Sequence, residues 1–596
     1  MNERGAKRRL VIAGTVVALL ALAPLALGSF AVGLLDDIGI GALVALGLVL
    51  LTGVGGATSF GQAAFVGIAA YASAWLTTVH GASPWLGLPF ALLLTGIAAW
   101  LIGTLTLRLD GHFLPLSTIA WGLSIPLLFG NVDALGQHTG ISNIPPLHVG
   151  PWSLVTPQAV YYLIWPIVGL ACWFSHNLLQ SRPGRAIRGL RGGTTLLASV
   201  GADAYRVRLS LFVTAALLAG VAGWLYAHAN RFVSPSPFDL RSSIDYLLMA
   251  VAGGLGQLSG ALVGAALVLV VKNALQDVLP LLSARGGQLE GVAFAALFIL
   301  LLQHARGGLM GFVSRWSRER IGRQPPARPV VLPLPLPRRS LPATGTPLLT
   351  VAGAVKRFGG LVAVNDVSFD VRAGEIVGLI GPNGAGKSTM FNLVTGTLPM
   401  SAGRVQFLGH DISNAPQQRI ARLGMARTFQ HVKLRPNMSL LDNVALGAHS
   451  RTSCGLLAAG LRLNRTEERQ IFDAAWTQLE RIGLADRAHE FAGSLPLGTQ
   501  RILEIARALA SDPVLLVLDE PAAGLRRQEK QALVELLRRL RADGMTILIV
   551  EHDMAFVMKL VDRLVVMNFG AKLVEGDPAS VRADVRVQSA YLGVSA

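Results

Sequence analysis

A series of long apolar runs in the first half of the chain constrains its fold more than any other feature. Hydrophobic residues make up 52% of the 596 residues and charged residues only 15%, against about 25% charged residues in soluble domains. These proportions exclude a wholly soluble or disordered protein. Eight runs are long enough to cross roughly 30 Å of hydrocarbon, and they lie near residues 10–28, 38–56, 60–79, 85–107, 113–130, 159–179, 209–229 and 288–304. We therefore predict an all-α polytopic membrane domain over residues 1–313.

A ninth apolar segment, residues 244–271, is interrupted by four glycines and predicts a broken helix. Basic residues precede the first run and follow the last one, so the positive-inside rule places both ends in the cytoplasm and requires an even number of crossings. The segment is then either re-entrant, which gives eight spans, or a pair of short spans, which gives ten. Its glycines fit a translocation site and close helix packing equally well.

The positive charge of the chain is concentrated around the apolar runs. The net charge is +17, and residues 1–347 hold 23 basic against 11 acidic residues. Basic loops beside apolar runs are typical of the cytoplasmic face of a membrane, so membrane lipid is a predicted partner and nucleic acid is not. The sizeable cytoplasmic loop at 180–208 carries six arginines, among them Arg185, Arg188 and Arg191. We expect this loop to be the docking surface for a soluble domain.

An Arg- and Pro-rich segment, residues 314–347, separates the apolar half from a different kind of sequence. Its repeated prolines, with LPLPLP in the middle, predict an extended, semi-rigid cytoplasmic linker. Residues 348–596 then show a mixed pattern of helices and strands, which predicts an α/β domain.

A phosphate-binding loop follows the first buried strand of this domain. The segment has the pattern GxxxxGK[ST], in which backbone N–H groups wrap phosphate oxygens, Lys387 adds positive charge and Ser388 holds Mg²⁺. The pattern predicts an ATP site made by Gly381, Pro382, Asn383, Gly384, Ala385, Gly386, Lys387, Ser388 and Thr389.

A second apolar strand, residues 514–518, ends in two acids, Asp519 and Glu520. An acid at the carboxyl end of a parallel strand lies beside the phosphate-binding loop, so Asp519 is predicted to organise Mg²⁺. The next carboxylate, Glu520, is suited to orient or deprotonate an attacking water.

With these motifs in order, the second half resembles an ATP-binding-cassette (ABC) ATPase, an α/β P-loop fold with a helical subdomain. The resemblance implies that Phe358 and Val364 contact the nucleotide, that Gln430 senses Mg²⁺ and the membrane domain, and that His552 is the switch histidine facing the γ-phosphate. Residues 522–525 match the loop that communicates across a cassette dimer.

More closely, KRFGGLVAVNDVSFDV, GLIGPNGAGKST and LEIARALASDP resemble the LivG-type ATPase of branched-chain amino acid importers. The membrane half resembles the LivM-type permease of the same systems through TSFGQAAFVGIAAY, LRLDGHFLPLSTIAWG, GRAIRGLR and FVSPSPFDLRSSIDYLLMAVAGGLGQLSG. The resemblance implies a natural permease–ATPase fusion in a bacterial inner membrane, which uses ATP and Mg²⁺ to import branched-chain or other apolar amino acids. Implied partners are a second, LivH-like permease, a second, LivF-like ATPase, and a periplasmic or lipid-anchored solute-binding protein.

Three segments depart from the family pattern. The signature that completes the partner cassette's ATP site, LSGGQ in most members, is here Leu495, Pro496, Leu497, Gly498 and Thr499. Because proline lacks an N–H, we expect weaker phosphate contact and two unequal ATP sites. The docking loop carries Arg191, Gly192, Gly193 and Thr194 where acidic residues are common, which predicts weakened or rearranged coupling. The third departure is His138, at a position where a glycine pair is common.

Other functions fit parts of the same pattern. The same importer type also handles urea or short amides. An ABC exporter half-transporter has a membrane domain ahead of a cassette, although short loops and eight or ten crossings oppose it. A membrane-tethered regulatory ATPase is the third alternative, suggested by Pro496 and the altered docking loop.

Overall fold

The computed structural model describes residues 14–15, 18–108, 113–282, 286–305, 307–312 and 335–592. The chain divides into two compact units. The membrane unit comprises Met1–Leu179 and Tyr205–Arg323, and the cassette unit comprises Gln180–Ala204 and Gln324–Ala596. The predicted docking loop therefore belongs structurally to the ATPase half, although the membrane helices flank it in sequence.

Eight helices within the described residues are long and apolar enough to cross a membrane. Seven of them coincide with predicted runs, and the run at 10–28 lies partly outside the described residues, with 18–26 helical. The helices of the membrane unit are α1 (Ser29–Leu48, continued by a π-helical turn Val49–Val54), α2 (Gln62–Val79), α3 (Pro84–Thr106), α4 (Phe113–Asn131), α5 (Pro157–Leu179), α8 (Ala204–Asn230), α9 (Leu240–Gly253), α10 (Leu258–Leu282) and α11 (Gly286–His304), with a small hairpin of β1 (Leu147–Val149) and β2 (Trp152–Leu154) before α5.

The glycine-interrupted segment is broken as predicted, but its two parts are unequal. Helix α9 has 14 residues and α10 has 25, so α10 alone is long enough to span. The choice between eight and ten crossings stays a prediction. The predicted run stops at residue 271, whereas α10 continues past Lys272 to Leu282. This lysine forms an ion pair with Asp245 of α9 and lies over the Phe294 ring, so its charge is balanced inside the bundle.

The glycines of this region allow two backbones to approach closely. A Cβ at Gly253 would lie 1.7 Å from the carbonyl oxygen of Gly260, and one at Gly264 would lie 1.8 Å from that of Met249. Any side chain at either position would force α9 and α10 apart. Close helix packing, one of the two explanations considered, therefore accounts for these residues.

The cassette unit has two sheets and a helical subdomain. A four-stranded antiparallel sheet (order β4-β3-β6-β7) packs beside a six-stranded, largely parallel sheet (order β12-β11-β5-β10-β9-β8). The strands are β3 (Pro347–Phe358), β4 (Leu361–Arg372), β5 (Ile376–Ile380), β6 (Ala402–Phe407), β7 (His410–Asp411), β8 (Met425–Arg427), β9 (Leu515–Asp519), β10 (Thr546–Val550), β11 (Arg563–Asn568) and β12 (Ala571–Gly576).

The helices of this unit lie on both faces of the larger sheet and in the helical subdomain. Strands β5, β9 and β10 are buried along their whole length, as expected for a parallel sheet covered on two faces. The helices are α6 (Arg182–Gly189), α7 (Thr194–Ser199), α12 (Lys387–Val394), α13 (Gln417–Leu423), α14 (Leu440–Gly447), α15 (Leu456–Gly460), α16 (Arg465–Arg481), α17 (Leu497–Ala510), α18 (Arg527–Ala542), α19 (Met554–Val557), α20 (Pro578–Ala583) and α21 (Val585–Leu592).

The last part of the predicted linker is docked on the cassette. Leu336 is buried in the apolar core of the helical subdomain. The Arg339 amide donates to Asp512 at 2.6 Å, and the Arg451 guanidinium donates to the Pro337 carbonyl at 2.9 Å. Residues 314–334 of the linker lie outside the described residues. The boundaries at 313/314 and 347/348 stay predictions.

Candidate active site

The phosphate-binding loop connects β5 to α12 and depends on glycine for its shape. Gly384 and Gly386 have φ of +82° and +93°, in the left-handed region that favours glycine. A Cβ at Gly386 would also lie 2.4 Å from the Ala363 carbonyl oxygen. The Lys387 ammonium is largely buried and donates to the carbonyls of Gly381 and Pro382 at 2.8 Å each. Burial lowers the pKa of Lys387, and the nearby Glu520 opposes that shift.

Asp519 lies at the carboxyl end of β9 on the same edge of the sheet as this loop. Strand β10 separates β9 from β5, because Val550 pairs with both Asp519 and Leu379. Strands β5 and β9 are thus about 10 Å apart, because neighbouring strands lie roughly 4.8 Å from each other. The sequence predicted that Asp519 lies directly beside the phosphate-binding loop. In the structure, one strand separates the strand of Asp519 from the strand that leads into the loop.

The environment of Asp519 fits a hard divalent cation. Its Oδ1 atom is buried with no hydrogen-bond partner among the described residues. Burial raises the pKa of Asp519 to about 6, while Arg427 acts in the opposite direction. An unpaired buried carboxylate is costly unless a cation compensates it, and carboxylate and hydroxyl oxygens suit Mg²⁺. The described residues hold no cluster of three or more His, Cys, Asp or Glu side chains suited to a metal. Mg²⁺ would therefore need donors of other types beside one acid, and the predicted set is Asp519, the Ser388 hydroxyl and the Gln430 amide oxygen.

The predicted catalytic acid, Glu520, contacts the predicted glutamine. The Gln430 amide donates to Glu520 Oε2 at 3.2 Å. Glu520 itself has φ of +44°, a strained conformation for a non-glycine residue, and its amide donates to the Val550 carbonyl at 2.9 Å. Arg501 donates to the backbone carbonyls of both Glu520 (2.8 Å) and Gln430 (3.2 Å). Arg501 therefore links the two segments, and no motif in the sequence indicated it.

The predicted switch histidine also lies near the Glu520 carboxylate. The Nδ1 atom of His552 is 3.9 Å from Glu520 Oε2 and 3.9 Å from Glu551 Oε2. Glu551 is fully buried and accepts hydrogen bonds from the amides of Ala522 and His552. It ties the loop after the catalytic acid to the histidine. Sequence reasoning missed Glu551, although an acid directly after a buried strand is the signal that identified Asp519.

The two residues expected to contact the nucleotide base differ in exposure. The Phe358 ring is 46% exposed and has the Lys356 ammonium 5.0 Å from its centroid. That ring is available to stack on a base. The Val364 side chain is fully buried in the core of the antiparallel sheet. A direct contact between Val364 and the nucleotide stays a prediction.

The signature segment forms the start of α17. Pro496 is the residue preceding the helix, and its carbonyl accepts the amide of Gln500 at 3.0 Å. The following residues Leu497, Gly498 and Thr499 provide the first backbone N–H groups of the helix, which point outward as in other anion-binding helix ends. A Cβ at Gly498 would lie 2.4 Å from the Glu529 carboxylate, so a side chain there would require that carboxylate to move. Compared with a serine at this position, Pro496 lacks the hydroxyl that could cap the N-terminus of α17. A weaker contact between the signature segment and phosphate stays a prediction.

The docking loop packs on the helical subdomain through ion pairs. The Arg185 side chain is 1% exposed, donates to Glu468 Oε2 at 2.7 Å and lies over the Phe472 ring. Glu468 also accepts the Arg182 amide at 2.6 Å. Arg188 is 3.6 Å from Asp442. In these ion pairs the docking loop supplies the positive charges and the helical subdomain supplies the carboxylates. The contact therefore does not need acidic residues in the loop.

The rest of the loop makes close backbone contacts. The Thr195 hydroxyl accepts from Lys433 at 2.6 Å, and the Gly201 carbonyl accepts from Arg422 at 2.9 Å. A Cβ at Gly192 would lie 2.4 Å from Leu196 and 3.3 Å from Arg435, so a side chain there would disturb the turn. Gly193, with φ of +95°, precedes Thr194 at the start of α7. Arg191 extends from the short helical turn before it.

Comparison with known proteins identifies both halves of the chain. Residues 30–302 match the family described as the permease component of branched-chain amino acid transport systems. Residues 364–523 match the ABC transporter family, and residues 571–596 match the branched-chain amino acid ATP-binding cassette transporter family. The chain is therefore an ABC-type ATPase fused to a multi-pass membrane permease, in which ATP hydrolysis is coupled to transport.

Relatives of the cassette half include ATP-binding proteins of high-affinity branched-chain amino acid transport. LivG of Salmonella typhimurium is 45% identical over 250 residues, which are 41% of this chain and 98% of LivG. LivG of Escherichia coli K12 is 44% identical over the same shares, and BraF of Pseudomonas aeruginosa is 42% identical. A nucleotide-free ATP-binding cassette from an ABC transporter is 32% identical, covering 42% of this chain and all of that chain, with a TM-score of 0.38. This chain belongs to the branched-chain amino acid ABC transporter family.

Proposed function

We propose that the chain is the fused permease and ATPase subunit of an importer for branched-chain or other apolar amino acids. The observation that carries this proposal is the union, in one chain, of a LivG-like cassette with a membrane unit of the matching permease family. The basic residues around the apolar runs support a bacterial inner membrane location with the cassette and the N-terminus in the cytoplasm. Urea and short amides are the alternative substrates of the same importer type.

The assembly needs more than this chain. A signature segment completes the ATP site of a second cassette, so one cassette cannot form a working pair alone. We infer a second permease and a second ATPase, of LivH and LivF type, and a solute-binding protein that delivers the substrate from outside. The arginine-rich docking loop is then one of the contacts through which cassette closure moves the membrane helices.

The geometry of the site supports in-line hydrolysis of the γ-phosphate. Lys387 and the backbone of residues 381–389 bind the phosphates, and Glu520 accepts a proton from the attacking water. The hydrogen bond from Gln430 orients the Glu520 carboxylate, and His552 lies next to it to contact the departing phosphate. Ser388, Asp519 and Gln430 would hold Mg²⁺, which would neutralise charge at the phosphates.

Uptake into proteoliposomes tests the proposal. The chain is reconstituted with its partner permease, partner ATPase and binding protein, and a panel of labelled amino acids, urea and acetamide is offered with and without internal ATP. ATP-dependent accumulation of leucine, isoleucine or valine is expected. Accumulation of urea or acetamide alone would change the substrate class. Hydrolysis without accumulation of any solute, in a complete assembly, would contradict the importer and favour the regulatory ATPase.

A further inference from the structure

A cavity of about 330 Å³ opens in the membrane unit, away from the glycine-rich segment considered above. It lies where α1 and α5 begin and α8 ends, and α10 closes one side through Asn273. In the orientation proposed above, this end of the helices faces the outside of the cell. The volume is at the lower end of the range for small-molecule sites, which suits a ligand the size of an amino acid.

Two adjacent carboxylates of α1 line this cavity. Asp36 is only 6% exposed, and its Oδ1 atom has no hydrogen-bond partner within the described part of the chain. Asp37 is exposed at the same wall. Neither carboxylate forms an ion pair with any described residue, unlike Asp245, which Lys272 neutralises. An unpaired acid inside a membrane helix is costly, which makes it a candidate for a ligand-binding role.

The remaining walls are apolar or neutral. Phe30 and Val155 are among several hydrophobic residues that line the cavity, and Asn230 and Asn273 are its neutral polar residues. The described lining contains no Lys, Arg or His. A ligand that matches these walls has a positive group for the carboxylates and a hydrocarbon part for the apolar side. An uncharged amide such as urea would leave the buried carboxylate uncompensated.

The geometry points to this cavity as a site for the ammonium group of an apolar amino acid, with Asp36 as its counter-ion and the hydrocarbon side chain against Phe30 and Val155. This assignment rests on the proposed function, because it places the transported solute at the outer end of the permease. The Asp36 carboxylate is largely shielded from water, so an ammonium contact there is stronger than the same contact at an exposed surface.

Binding measurements with the complete assembly in nanodiscs, without binding protein, test the site. Tritiated L-leucine is displaced by 3-methylbutylamine, which is leucine without its carboxylate, or by 4-methylpentanoate, which lacks the ammonium group. We expect the amine to compete and the acid not to compete. Equal competition by both compounds, or by the acid alone, would overturn the assignment.

Variants give the second arm of the test. Asp36→Asn should weaken leucine binding at least tenfold, while the melting temperature stays the same or rises, because a buried unpaired charge is removed. Asp36→Glu, which keeps the charge, should retain intermediate affinity. Asp133→Asn, an exposed carboxylate of the loop after α4, is the matched control and should bind leucine normally. Unchanged leucine affinity in Asp36→Asn would refute the role.

Two further outcomes separate this inference from the proposed function. Displacement of leucine by Ca²⁺ but not by the amine would identify a metal-cation site and overturn the assignment. A wild type that binds leucine and the amine as expected, yet accumulates no amino acid with ATP, would contradict the importer and leave the site supported. A wild type that binds neither compound would overturn the site even where uptake occurs.

Discussion

Replacement of Glu468 by alanine should uncouple transport from ATP hydrolysis. Glu468 holds the docking loop through Arg185 and the Arg182 amide. Removing the carboxylate leaves the Arg185 guanidinium buried without its counter-charge, and losing one partner of a buried ion pair costs about 3–5 kcal/mol. Because Glu468 is 15% exposed, water offsets part of this cost, and we take roughly 2–4 kcal/mol. At 1.4 kcal/mol per tenfold change, the docked state loses a factor of roughly 30 to 1,000.

The assay is amino-acid uptake per ATP hydrolysed in proteoliposomes holding the complete assembly. Glu468→Ala should lower this ratio at least tenfold, since Glu468 lies outside the ATP site and the cassette keeps its catalytic residues. Glu535→Ala, an exposed acid on α18, is the matched control and should transport normally. A wild-type ratio in Glu468→Ala would refute the reasoning, and so would a parallel loss of uptake and hydrolysis with an unchanged ratio.

A double variant distinguishes the lost ion pair from general damage to the subdomain. Replacing both partners, as Arg185→Met with Glu468→Leu, removes the uncompensated charge and fills the space with apolar groups, which is often nearly neutral for buried pairs. The double variant should therefore couple better than Glu468→Ala alone. With the single variants Arg185→Met and Glu468→Leu it completes a double-mutant cycle, whose interaction energy measures the pair.

Three further predictions concern the ATP site. Glu520→Gln should abolish hydrolysis and trap ATP in the closed dimer, because the attacking water loses its base; unchanged turnover would contradict the assignment. The carboxyl of Asp519 has a pKa raised to about 6, so it loses its charge as the pH falls through 6. Mg²⁺-dependent binding of a fluorescent ATP analogue should therefore weaken more between pH 7 and pH 5 in the wild type than in Asp519→Asn. Equal weakening in both proteins would argue against Asp519 as a Mg²⁺ ligand. Pro496→Ser should raise turnover by restoring a hydroxyl before α17, together with about 0.5–2 kcal/mol of capping stability; a higher melting temperature with unchanged turnover would mean that proline does not weaken the phosphate contact.

The features that were predictable from sequence are the local ones. The phosphate-binding loop is a contiguous motif, and Asp519 and Glu520 come at the end of one apolar strand, so a short stretch of sequence is enough to identify them. The membrane helices were predictable because each is a single apolar run. Lys272 obscured the end of α10, since its neutralising partner Asp245 lies 27 residues earlier. Charge in a sequence does not reveal whether a counter-charge is packed against it.

Contacts between distant segments were not predictable in the same way. Arg185 and Glu468 are separated by 283 residues, and no spacing rule relates them. The arginines of the docking loop were enough to identify it as a docking surface. The expectation of acidic residues in the loop came from the family pattern, because the sequence does not show which residues the loop contacts. The cavity at Asp36 was invisible for a similar reason, since the acid falls in the gap between two apolar runs and its surroundings come from α5, α8 and α10.

The docking loop reaches the catalytic acid through a short chain of buried contacts in the cassette. Lys433 contacts Thr195 of the loop, and its amide donates to Glu504, whose other oxygen accepts the amide of Phe429 at 3.4 Å. Glu504 and its partner Arg507 are each 2% exposed, so this anchor is rigid. Gln430 follows Phe429 directly and contacts Glu520. Because Glu504 is buried and held by its partners, a movement of the docking loop at Thr195 is passed on to the Phe429–Gln430 segment. That segment orients the Glu520 carboxylate. This route starts at Thr195 and does not pass through Glu468, so hydrolysis can persist in Glu468→Ala while the Thr195 contact is kept.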